Sequence, residues 1–475
     1  MTVRFGTDGW RGVIAEDFTF AAVRRVSRAL ALELRERAGG AGDGPALVVG
    51  YDTRFGSARF AAAAAEVLAA HDVHVYLCTA PVPSPAVSHA IVERGADGGV
   101  VITASHNPAT FNGFKVKGRS GAPASFAFLR ALEARLGGEH DAEPARLALD
   151  TAEDHDQLDR INPVPEYLAS LGQLVDLDGL RNAGLTVVAD AMFGAGAGLL
   201  PKLFADSTTK IIEINGSVNP AFPGLRGPEP IAANLSRLSR VVADGEPSLG
   251  LAFDGDADRL GVVGAGGEYI SAQEVFALLA LYLLETRGWN GPIIKSTNAT
   301  AMLDRLAGDF GVPIYETPVG FTAMAPLMRE HDAILAGEES GGFAFRHHFP
   351  DRDGLLAGLF LLDLLVRRNS DLATVIAALH ERVGDWYYER LDVPCPRERC
   401  GEVMARVQGA SVKRLAGVPI AEIGDVAGQK YVLEDESWLL IRFSGTEPVL
   451  RLYAEAHTPA RVKELLARGR ELAGV

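Results

Sequence analysis

The chain has 475 residues and a formal net charge of −15, and 48% of its residues are hydrophobic. Such a length is too great for one hydrophobic core, so three or four domains are expected. The acidic charge argues against nucleic acid or an anionic membrane as the main partner. An anionic substrate would therefore need a local positive pocket.

The cysteine content and the lengths of the apolar runs exclude further classes of protein. Cys78, Cys395 and Cys400 are too few and too scattered for a disulfide framework or a zinc site. The chain starts without a signal-peptide core, and its longest apolar runs, 275–284 and 354–362, are too short to span a bilayer. We expect a cytoplasmic protein that is a monomer or a homodimer.

Strand-like runs alternate with helical runs through most of the chain, which predicts α/β domains with largely parallel sheets. Functional loops of such sheets lie at the carboxyl ends of the strands. Glycines at 194–198 follow a strand, but Leu199 replaces the third glycine of a dinucleotide-binding fingerprint, so a tight turn that enters a helix is expected. The strand-like runs are 47–51, 73–77, 99–102, 185–189, 249–253, 292–294 and 333–335, with an alanine-rich helix at 60–70.

The C-terminal part, from about residue 386 to residue 475, has a different pattern. Short strand-like runs at 388–393, 438–443 and 449–456 are followed by a helical run at 459–472. This pattern predicts a small α+β domain.

Three carboxylates follow the run 249–253 at alternate positions: Asp254, Asp256 and Asp258. Carboxylates this close repel one another unless a cation lies between them, and hard oxygen ligands favour Mg²⁺, Ca²⁺ or Mn²⁺. An EF-hand loop does not fit, because arginine and alanine occupy the positions that need glycine and glutamate. A solvated acidic turn is the alternative. The adjacent Arg259 points to chemistry on a phosphate, since Mg²⁺ and arginine both bind phosphate oxygens.

A second segment, residues 103–108, places Ser105 in a loop beside His106, with Lys115 further along the chain. Pro108 prevents the preceding strand from continuing. A serine hydrolase is one alternative, but the Gly-x-Ser-x-Gly nucleophile elbow is absent. An incidental loop serine is the other.

Two further segments carry groups that bind sugars and phosphates. The loop 337–342 contains Glu338 and Ser340, which can accept hydrogen bonds from sugar hydroxyls and donate to them; an ordinary polar turn is the alternative. Near the C terminus, two arginines, two hydroxyls and a glycine turn make a phosphate cradle, with a charged hairpin turn as the alternative. The residues of this cradle are Arg442, Ser444, Gly445, Thr446 and Arg451.

Together and in this order, these segments resemble the α-D-phosphohexomutase family of phosphoglucomutases and phosphomannomutases. The resemblance spans residues 4 to 456 and implies three related α/β domains with mixed, largely parallel sheets plus a smaller C-terminal α+β domain, arranged around a central cleft. The domains are expected at 1–165, 166–265, 266–383 and 384–475. The matching motifs are Gly-Thr-Asp-Gly-Trp-Arg-Gly at 6–12, Tyr-Asp-Thr-Arg at 51–54, Thr-Ala-Ser-His-Asn-Pro at 103–108, Asp-Gly-Asp-Ala-Asp-Arg at 254–259, Thr-Pro-Val-Gly-Phe at 317–321, Gly-Glu-Glu-Ser-Gly-Gly at 337–342 and Arg-Phe-Ser-Gly-Thr-Glu-Pro at 442–448.

The resemblance also implies residue roles. Ser105 would be the phosphoserine that donates and recovers the phosphoryl group, and the three aspartates would hold Mg²⁺ together with the phosphoserine oxygen. Arg11, Lys115 and Arg259 would surround the transferring group, with His106 beside the serine. Lys115 and His348 are the candidates for proton transfer. The substrate would be bound by Glu338, Ser340, Thr317, Gly320, Arg442, Ser444, Gly445, Thr446 and Arg451.

The implied reaction interconverts hexose 1-phosphate and hexose 6-phosphate through a hexose 1,6-bisphosphate, which also acts as activator. Glucose is the expected hexose and mannose a further one. Two departures bear on this choice: Thr322 stands where many relatives have lysine, and Gly342 where the phosphomannomutase/phosphoglucomutase branch often has histidine. The alternatives are a phosphotransferase that releases hexose bisphosphate, a phosphoglucosamine mutase and a non-catalytic sugar-phosphate sensor.

Overall fold

The computed structural model describes residues 3–38, 44–136, 143–444 and 448–475. The chain forms two compact units, one comprising Met1–Ala272 with Ser340–Leu372 and the other Gln273–Glu339 with Ala373–Val475. Within the described residues, we find no helix with the combined length and apolar character that crossing a bilayer would require.

The first unit begins with a six-stranded mixed sheet. Its strands are β1 (Trp10–Val13), β2 (Ala46–Tyr51), β3 (His74–Cys78), β4 (Gly98–Ile102), β5 (Phe111–Gly118) and β6 (Leu158–Ile161). Their order is β1-β5-β4-β2-β3-β6; β4, β2, β3 and β6 run parallel, while β5 and β1 form an antiparallel edge. Its helices are α1 (Phe20–Arg37), α2 (Ser57–Ala69), α3 (Ser84–Glu93), α4 (Phe126–Leu136), α5 (Leu149–Asp154) and α6 (Val164–Leu174).

Small residues let the helices pack closely on this sheet. The side chains of Val48 and Val49 in β2 are completely buried, as expected for a strand in the middle of a sheet covered on both faces. A Cβ atom on Gly50 would lie 2.4 Å from Val87 of α3, so this glycine sets the distance between strand and helix.

A second mixed sheet in the first unit repeats this plan. Its strands are β7 (Thr186–Asp190), β8 (Lys210–Ile214), β9 (Leu249–Phe253), β10 (Leu260–Gly264) and β11 (Tyr269–Ile270), with helices α7 (Leu177–Arg181), α8 (Leu199–Leu203) and α9 (Ser236–Ala243). The order is β11-β10-β9-β7-β8, and again the parallel strands β9, β7 and β8 carry an antiparallel edge. The turn at 191–198 enters α8, as predicted for the glycine-rich segment.

The second unit contains a further parallel strand set and the C-terminal domain. Strand β12 (Ile293–Ser296) pairs with β13 (Ile314–Thr317) on one side and β14 (Leu335–Gly337) on the other, both in parallel. The helices of this part are α10 (Ala272–Leu281), which continues as a π-helical turn at Tyr282–Thr286, α11 (Met302–Phe310) and α12 (Phe321–Glu330). The chain then contributes β15 (Phe343–Phe345) and α13 (Gly354–Arg368) to the first unit.

The C-terminal domain is an antiparallel sheet covered by helices on its apolar face. Its strands are β16 (Tyr387–Pro394), β17 (Arg414–Leu415), β18 (Val418–Gly424), β19 (Gln429–Leu433), β20 (Trp438–Phe443) and β21 (Val449–Ala456), in the order β16-β21-β20-β19-β18-β17. Helix α14 (Leu372–Val383) precedes this domain, whose own helices are α15 (Cys400–Gly409) and α16 (Pro459–Ala473). The side chain of Thr458 caps α16 by accepting from Arg461 N.

The predicted fold class is confirmed: three α/β parts with mixed sheets are followed by an α+β domain. Each candidate loop joins a strand to the next strand along the chain. We call residues 103–110, between β4 and β5, the serine loop, and residues 254–259, between β9 and β10, the metal loop. The sugar loop, residues 338–342, lies between β14 and β15.

Candidate active site

Ser105 is buried in the serine loop and its hydroxyl faces the metal loop. Its Oγ donates a hydrogen bond to Asp254 Oδ2 at 2.7 Å and lies 3.3 Å from His106 Nδ1. The backbone of Ser105 has a φ of 51°, a left-handed conformation that is uncommon for a residue other than glycine. The first unit therefore joins the serine of one sheet to the first aspartate of the other.

The metal loop is a tight turn organised by its own first aspartate. Asp254 Oδ1 accepts from the backbone N–H groups of Asp258 at 2.9 Å and Arg259 at 3.2 Å. A Cβ atom on Gly255 would lie only 2.3 Å from the carbonyl oxygen of Ser105. Glycine at this position therefore permits the close approach of the two loops.

The three aspartates are buried, and one oxygen from each lies within 4.8 Å of the others. Asp256 Oδ2 accepts from Ser84 Oγ and from Lys115 Nζ, and Asp258 Oδ2 accepts from Lys115 Nζ at 3.0 Å and pairs with Arg352 at 2.9 Å. The other oxygen of Asp256 and of Asp258, Oδ1, is buried without a hydrogen-bond partner among the described residues. A buried, unpaired carboxylate oxygen is costly. The donor set therefore fits a divalent cation bound by hard oxygen ligands.

The electrostatics of the triad agree with this fit. Burial, together with repulsion from Asp258 and Asp256, raises the pKa of Asp254 well above its ordinary value. Burial also raises the pKa of Asp258, against the attraction of Arg352. For Asp256, burial acts in the same direction but the attraction of Lys115 outweighs it and lowers the pKa. A cation among the three would remove the repulsion.

Beside the metal loop, a fourth acid, Asp8, brings three cations together. Its carboxylate lies 3.0 Å from Lys115 Nζ and also pairs with Arg11 and Arg352. Although burial opposes it, attraction by Arg352, Lys115 and Arg11 lowers the pKa of Asp8 well below its ordinary value. Three fixed cations at one point suit a group whose negative charge is spread over several oxygens.

Lys115 is held too firmly as a cation to act as a proton acceptor. Burial opposes its charge, but the attraction of Asp256, Asp258 and Asp8 raises the pKa of Lys115 above its ordinary value. Its geometry suits electrostatic stabilisation instead.

The two candidate histidines have different surroundings. Burial, with repulsion from Arg259 and Arg11, holds the pKa of His106 well below its ordinary value, so its imidazole is neutral beside Ser105. His348 Nε2 lies 2.9 Å from Oδ2 of Asp353, and Asp353 is the N-cap residue of α13. Among the described residues, no hydrogen bond or ion pair joins His348 to Ser105 or to the three aspartates.

In the second unit, the predicted sugar-binding residues Glu338 and Gly320 lie together. Glu338 Oε1 accepts from the backbone N–H of Gly320, the N-cap residue of α12, at 2.8 Å. Thr317 ends β13, and its Oγ1 donates to the carbonyl oxygen of Pro318 at 2.9 Å. Ser340 is a partly exposed residue of the sugar loop.

The predicted phosphate cradle has two arginines on adjacent strands. Arg442 of β20 lies directly opposite Arg451 of β21, and Arg442 Nη1 is buried without a hydrogen-bond partner among the described residues. Asp392 of β16 lies opposite Arg451 on its other side, with Asp392 Oδ2 3.6 Å from Arg451 Nε. Like charges in direct cross-strand register repel each other, so an anion fits here. The backbone N–H of Ser444 donates to Val449 O, while Gly445 and Thr446 lie outside the described residues.

Four family models cover most of the chain. They are the α/β/α domains I, II and III and the C-terminal domain of phosphoglucomutase/phosphomannomutase, and they match residues 2–142, 165–267, 271–383 and 392–472. The chain belongs to the phosphoglucomutase/phosphomannomutase family. Members of this family are mutases, which act as intramolecular phosphotransferases.

The names of individual relatives refer to different sugars. A protein of Thermococcus gammatolerans named "Probable phosphoglucosamine mutase" is 32% identical, with 98% of this chain and 97% of the relative covered. A "Phosphoglucomutase/phosphomannomutase" of Thermococcus kodakarensis is 30% identical, with 98% of each covered. The crystal structure of a "putative phosphomannomutase" from Thermus thermophilus is 34% identical, covers 100% of both chains and has a TM-score of 0.86.

One departure from the phosphoglucomutase/phosphomannomutase pattern now has a physical reason. A Cβ atom on Gly342 would lie 2.3 Å from Cδ of Arg352. The arginine that pairs with Asp8 and Asp258 therefore fills the space that a larger side chain at 342 would need.

The other departure, Thr322, is a buried residue in the first turn of α12. A positive charge is nevertheless present in the same unit, because Lys430 Nζ lies 2.6 Å from Glu316 Oε2, and Glu316 immediately precedes Thr317. Lys430 is thus one cation near the end of β13, and Lys295 of β12, which is in register with Glu316, is another.

Three residues of the site were not predicted from the sequence: Asp8, Ser84 and Arg352. Asp8 lies within the family motif at 6–12, where only Arg11 was given a role. Arg352 lies just before the acid that caps α13, and Ser84 begins α3 with no local motif of its own. A charged residue inside the matched motif at 6–12 was the available signal for Asp8, and no matched motif marked the other two residues.

Proposed function

We propose that this protein interconverts hexose 1-phosphate and hexose 6-phosphate through a phosphorylated Ser105, with glucose as the preferred hexose and mannose as a second substrate. The observation that carries the proposal is the 2.7 Å hydrogen bond between Ser105 Oγ and Asp254 Oδ2. This hydrogen bond supports a site in which Ser105 is the nucleophile and binds the same cation as the three aspartates. Asp254, Asp256 and Asp258 would hold Mg²⁺ together with an oxygen of phosphorylated Ser105.

In the first half-reaction, the phosphoryl group moves from Ser105 to the free hydroxyl of the hexose monophosphate, and the hydroxyl loses its proton. Ser105 Oγ, which takes up a proton when it loses the phosphoryl group, is then free to react again. After the 1,6-bisphosphate has turned round, Ser105 Oγ gives up that proton and accepts the other phosphoryl group, and the sugar oxygen released from it takes a proton and becomes a hydroxyl. Bound Mg²⁺ would neutralise charge on the transferring phosphoryl oxygens. Arg11, Lys115 and Arg352, which meet at Asp8, supply fixed positive charge for the same oxygens.

The proton acceptor for the sugar hydroxyl is His348 in this proposal. Its Nε2 must carry a proton to bond the Asp353 carboxylate, which leaves the lone pair on Nδ1 as the acceptor. Lys115 is less suited, because it retains its proton.

Sugar and distal phosphate are bound by the second unit in this proposal. Glu338 is the hydroxyl-binding acid, and Arg442 and Arg451 bind the phosphate that is not being transferred. The unpaired Nη1 of Arg442 and the like-charge pairing of the two arginines support this assignment.

The test is a coupled assay with purified protein, Mg²⁺, glucose 1-phosphate and a trace of glucose 1,6-bisphosphate. Rapid formation of glucose 6-phosphate supports the proposal, and intact mass should show one added phosphate, which peptide mapping should place on Ser105. Net release of bisphosphate from another donor, without glucose 6-phosphate, would instead indicate a bisphosphate-forming phosphotransferase.

A phosphoglucosamine mutase is the second candidate function, because several similar proteins carry that name. Specificity constants for the 1-phosphates of glucose, mannose and glucosamine, measured side by side, decide between the two. A preference for glucosamine phosphate would change the substrate while leaving the serine mechanism in place.

Arg442→Ala tests the phosphate assignment separately. We expect its KM for glucose 1-phosphate to rise, because a charge-assisted contact to the distal phosphate is lost. Arg468→Ala, which removes an exposed arginine of α16, is the matched control and should leave KM unchanged. An unchanged KM in Arg442→Ala would contradict the cradle.

A further inference from the structure

One arginine binds the backbone of the serine loop at several points. The guanidinium of Arg54 is buried and donates to four carbonyl oxygens of residues 105–111. Nη1 contacts Pro108 O at 2.8 Å and Phe111 O at 3.1 Å, and Nη2 contacts Asn107 O at 2.6 Å and Ser105 O. Only a planar guanidinium can serve so many acceptors at once.

Asp52 completes the arrangement from the same turn. Its Oδ2 lies 3.1 Å from Arg54 Nε, and the same oxygen accepts from Thr103 Oγ1 at 2.6 Å. Thr103 Oγ1 in turn accepts from the backbone N–H of Ser105 at 2.8 Å. The carbonyl oxygen of Ser105 is therefore bonded directly to Arg54, and its backbone N–H is linked to Asp52 through Thr103.

This pair lies behind the serine rather than among the reacting groups. Arg54 contacts the carbonyl oxygen of Ser105 and stacks on the ring of Phe222 at 5.0 Å, whereas Ser105 Oγ bonds Asp254 on another side. The residues are completely or almost completely buried, with 1% of Asp52 and 3% of Arg54 exposed. The contacts that the structure shows for this pair are with the backbone of the serine loop and with buried side chains, which indicates a structural role.

We propose that Asp52 and Arg54 are positioning residues that hold Ser105 in its left-handed backbone conformation and so aim Oγ at the metal loop. This inference rests on the proposed function, in which Ser105 is the phosphoryl carrier. A left-handed non-glycine residue persists only when its surroundings determine it, and the bonds from this pair supply that determination. A misplacement of a reacting atom by about 1 Å can reduce a rate by about 10²-fold.

The experiment compares Arg54→Lys and Arg54→Ala with Arg59→Ala, which removes an exposed arginine of α2 that stacks on Phe20. We expect kcat to fall by about 10²-fold in both Arg54 variants, with KM within about twofold of the wild-type value. Lysine keeps the charge but cannot reach the four carbonyls, so it should not rescue kcat. Added guanidinium, at a concentration that leaves the unchanged chain folded and fully active, should restore part of the kcat of Arg54→Ala.

A second readout does not depend on turnover. Amide hydrogen exchange in peptides that cover residues 103–112 should become faster in Arg54→Lys and stay unchanged in Arg59→Ala. If Arg54→Ala fails to fold, Arg54→Lys with its exchange pattern still decides the matter.

Three results would overturn the inference: full kcat in Arg54→Lys, a raised KM with unchanged kcat, or unchanged exchange in the serine loop. Failure of the proposed function is a separate result. In that case the unchanged chain shows no mutase activity, whereas faster exchange in Arg54→Lys would still establish that the pair holds the loop.

Discussion

The serine loop and the metal loop occupy equivalent places in two sheets of the first unit. Each follows a strand from the parallel part of its sheet and leads into the antiparallel edge. Each also contains one left-handed residue other than glycine, Ser105 with a φ of 51° and Ala257 with a φ of 56°. Similar backbone frames therefore carry a nucleophile in one case and metal ligands in the other.

The two loops differ in how they are held. Asp254 organises the metal loop locally, by accepting from N–H groups four and five residues further on. The serine loop depends on Asp52 and Arg54 from a distant part of the chain. The turn after β7 also supports the metal loop, but it uses backbone, since Ala195 N donates to Gly255 O at 2.9 Å. The metal loop is thus organised by its own first aspartate as well as by contacts from other segments, whereas the two backbone groups of Ser105 are bonded by residues outside positions 104–110.

The largest effect is expected from Ser105→Ala, which removes the nucleophile and leaves the metal loop intact. Activity should fall by on the order of 10⁴-fold or more, because the covalent route is lost. Coupled assays measure this loss, and circular dichroism checks the fold. Ser170→Ala, which removes a partly buried hydroxyl on α6, is the control and should stay active. Substantial turnover in Ser105→Ala would contradict the serine mechanism.

Asp258→Asn makes the opposite change, because it impairs the metal loop and leaves the serine in place. We expect activity to fall by about 10²- to 10³-fold. Mg²⁺ should raise the Tm of the unchanged chain, since it binds only the folded state, and this rise should be lost in the variant. Asp150→Asn, at an almost fully exposed acid, controls for the change of charge. A Mg²⁺-dependent Tm shift that survives Asp258→Asn would place the metal elsewhere.

Gly255→Ala tests the contact between the two loops. The added methyl group would lie 2.3 Å from the carbonyl oxygen of Ser105, so the loops must separate. We expect about 1–3 kcal/mol of lost stability from overpacking and about 10²-fold lower kcat. Gly118→Ala is the control, because a Cβ atom there meets no other atom within 4 Å. Equal kcat in both variants would show that the loops need not touch.

The same contrast explains what could be predicted from the sequence. Asp254, Asp256 and Asp258 are neighbours in the sequence, so a cation site formed by their carboxylates could be predicted without a structure. The sequence pattern indicated the parallel strands β2, β3, β4, β7, β9 and β12 and the helices α2 and α16, whereas strands such as β1, β5, β8, β18 and β19 and most of the other helices were not predicted. The order of the motifs along the chain was enough to identify the family.

What the sequence did not reveal depends on contacts between distant segments. The cations that meet at Asp8, the bonds from Arg54 to the serine loop and the packing of Arg352 against Gly342 each join parts of the chain that only the tertiary fold brings together. Sequence spacing does not show such contacts, even where both partners lie in recognised motifs, as Arg54 and Ser105 do.

The smallest expected effect comes from Ser84→Ala, which sharpens the view that the metal loop is locally organised. Ser84 Oγ and Lys115 Nζ donate to Asp256 Oδ2, which fixes this carboxylate and leaves its Oδ1 without a hydrogen-bond partner among the described residues. Loss of such an orienting contact typically weakens metal binding by about 10- to 100-fold. We therefore expect a higher Mg²⁺ concentration for half-maximal activity, with kcat restored at saturating Mg²⁺. Ser88→Ala, at a buried serine of the same helix that bonds Gly121 O, is the control. If Ser84→Ala lowers kcat at saturating Mg²⁺ as strongly as Asp258→Asn does, the metal loop also depends on distant residues, and its difference from the serine loop disappears.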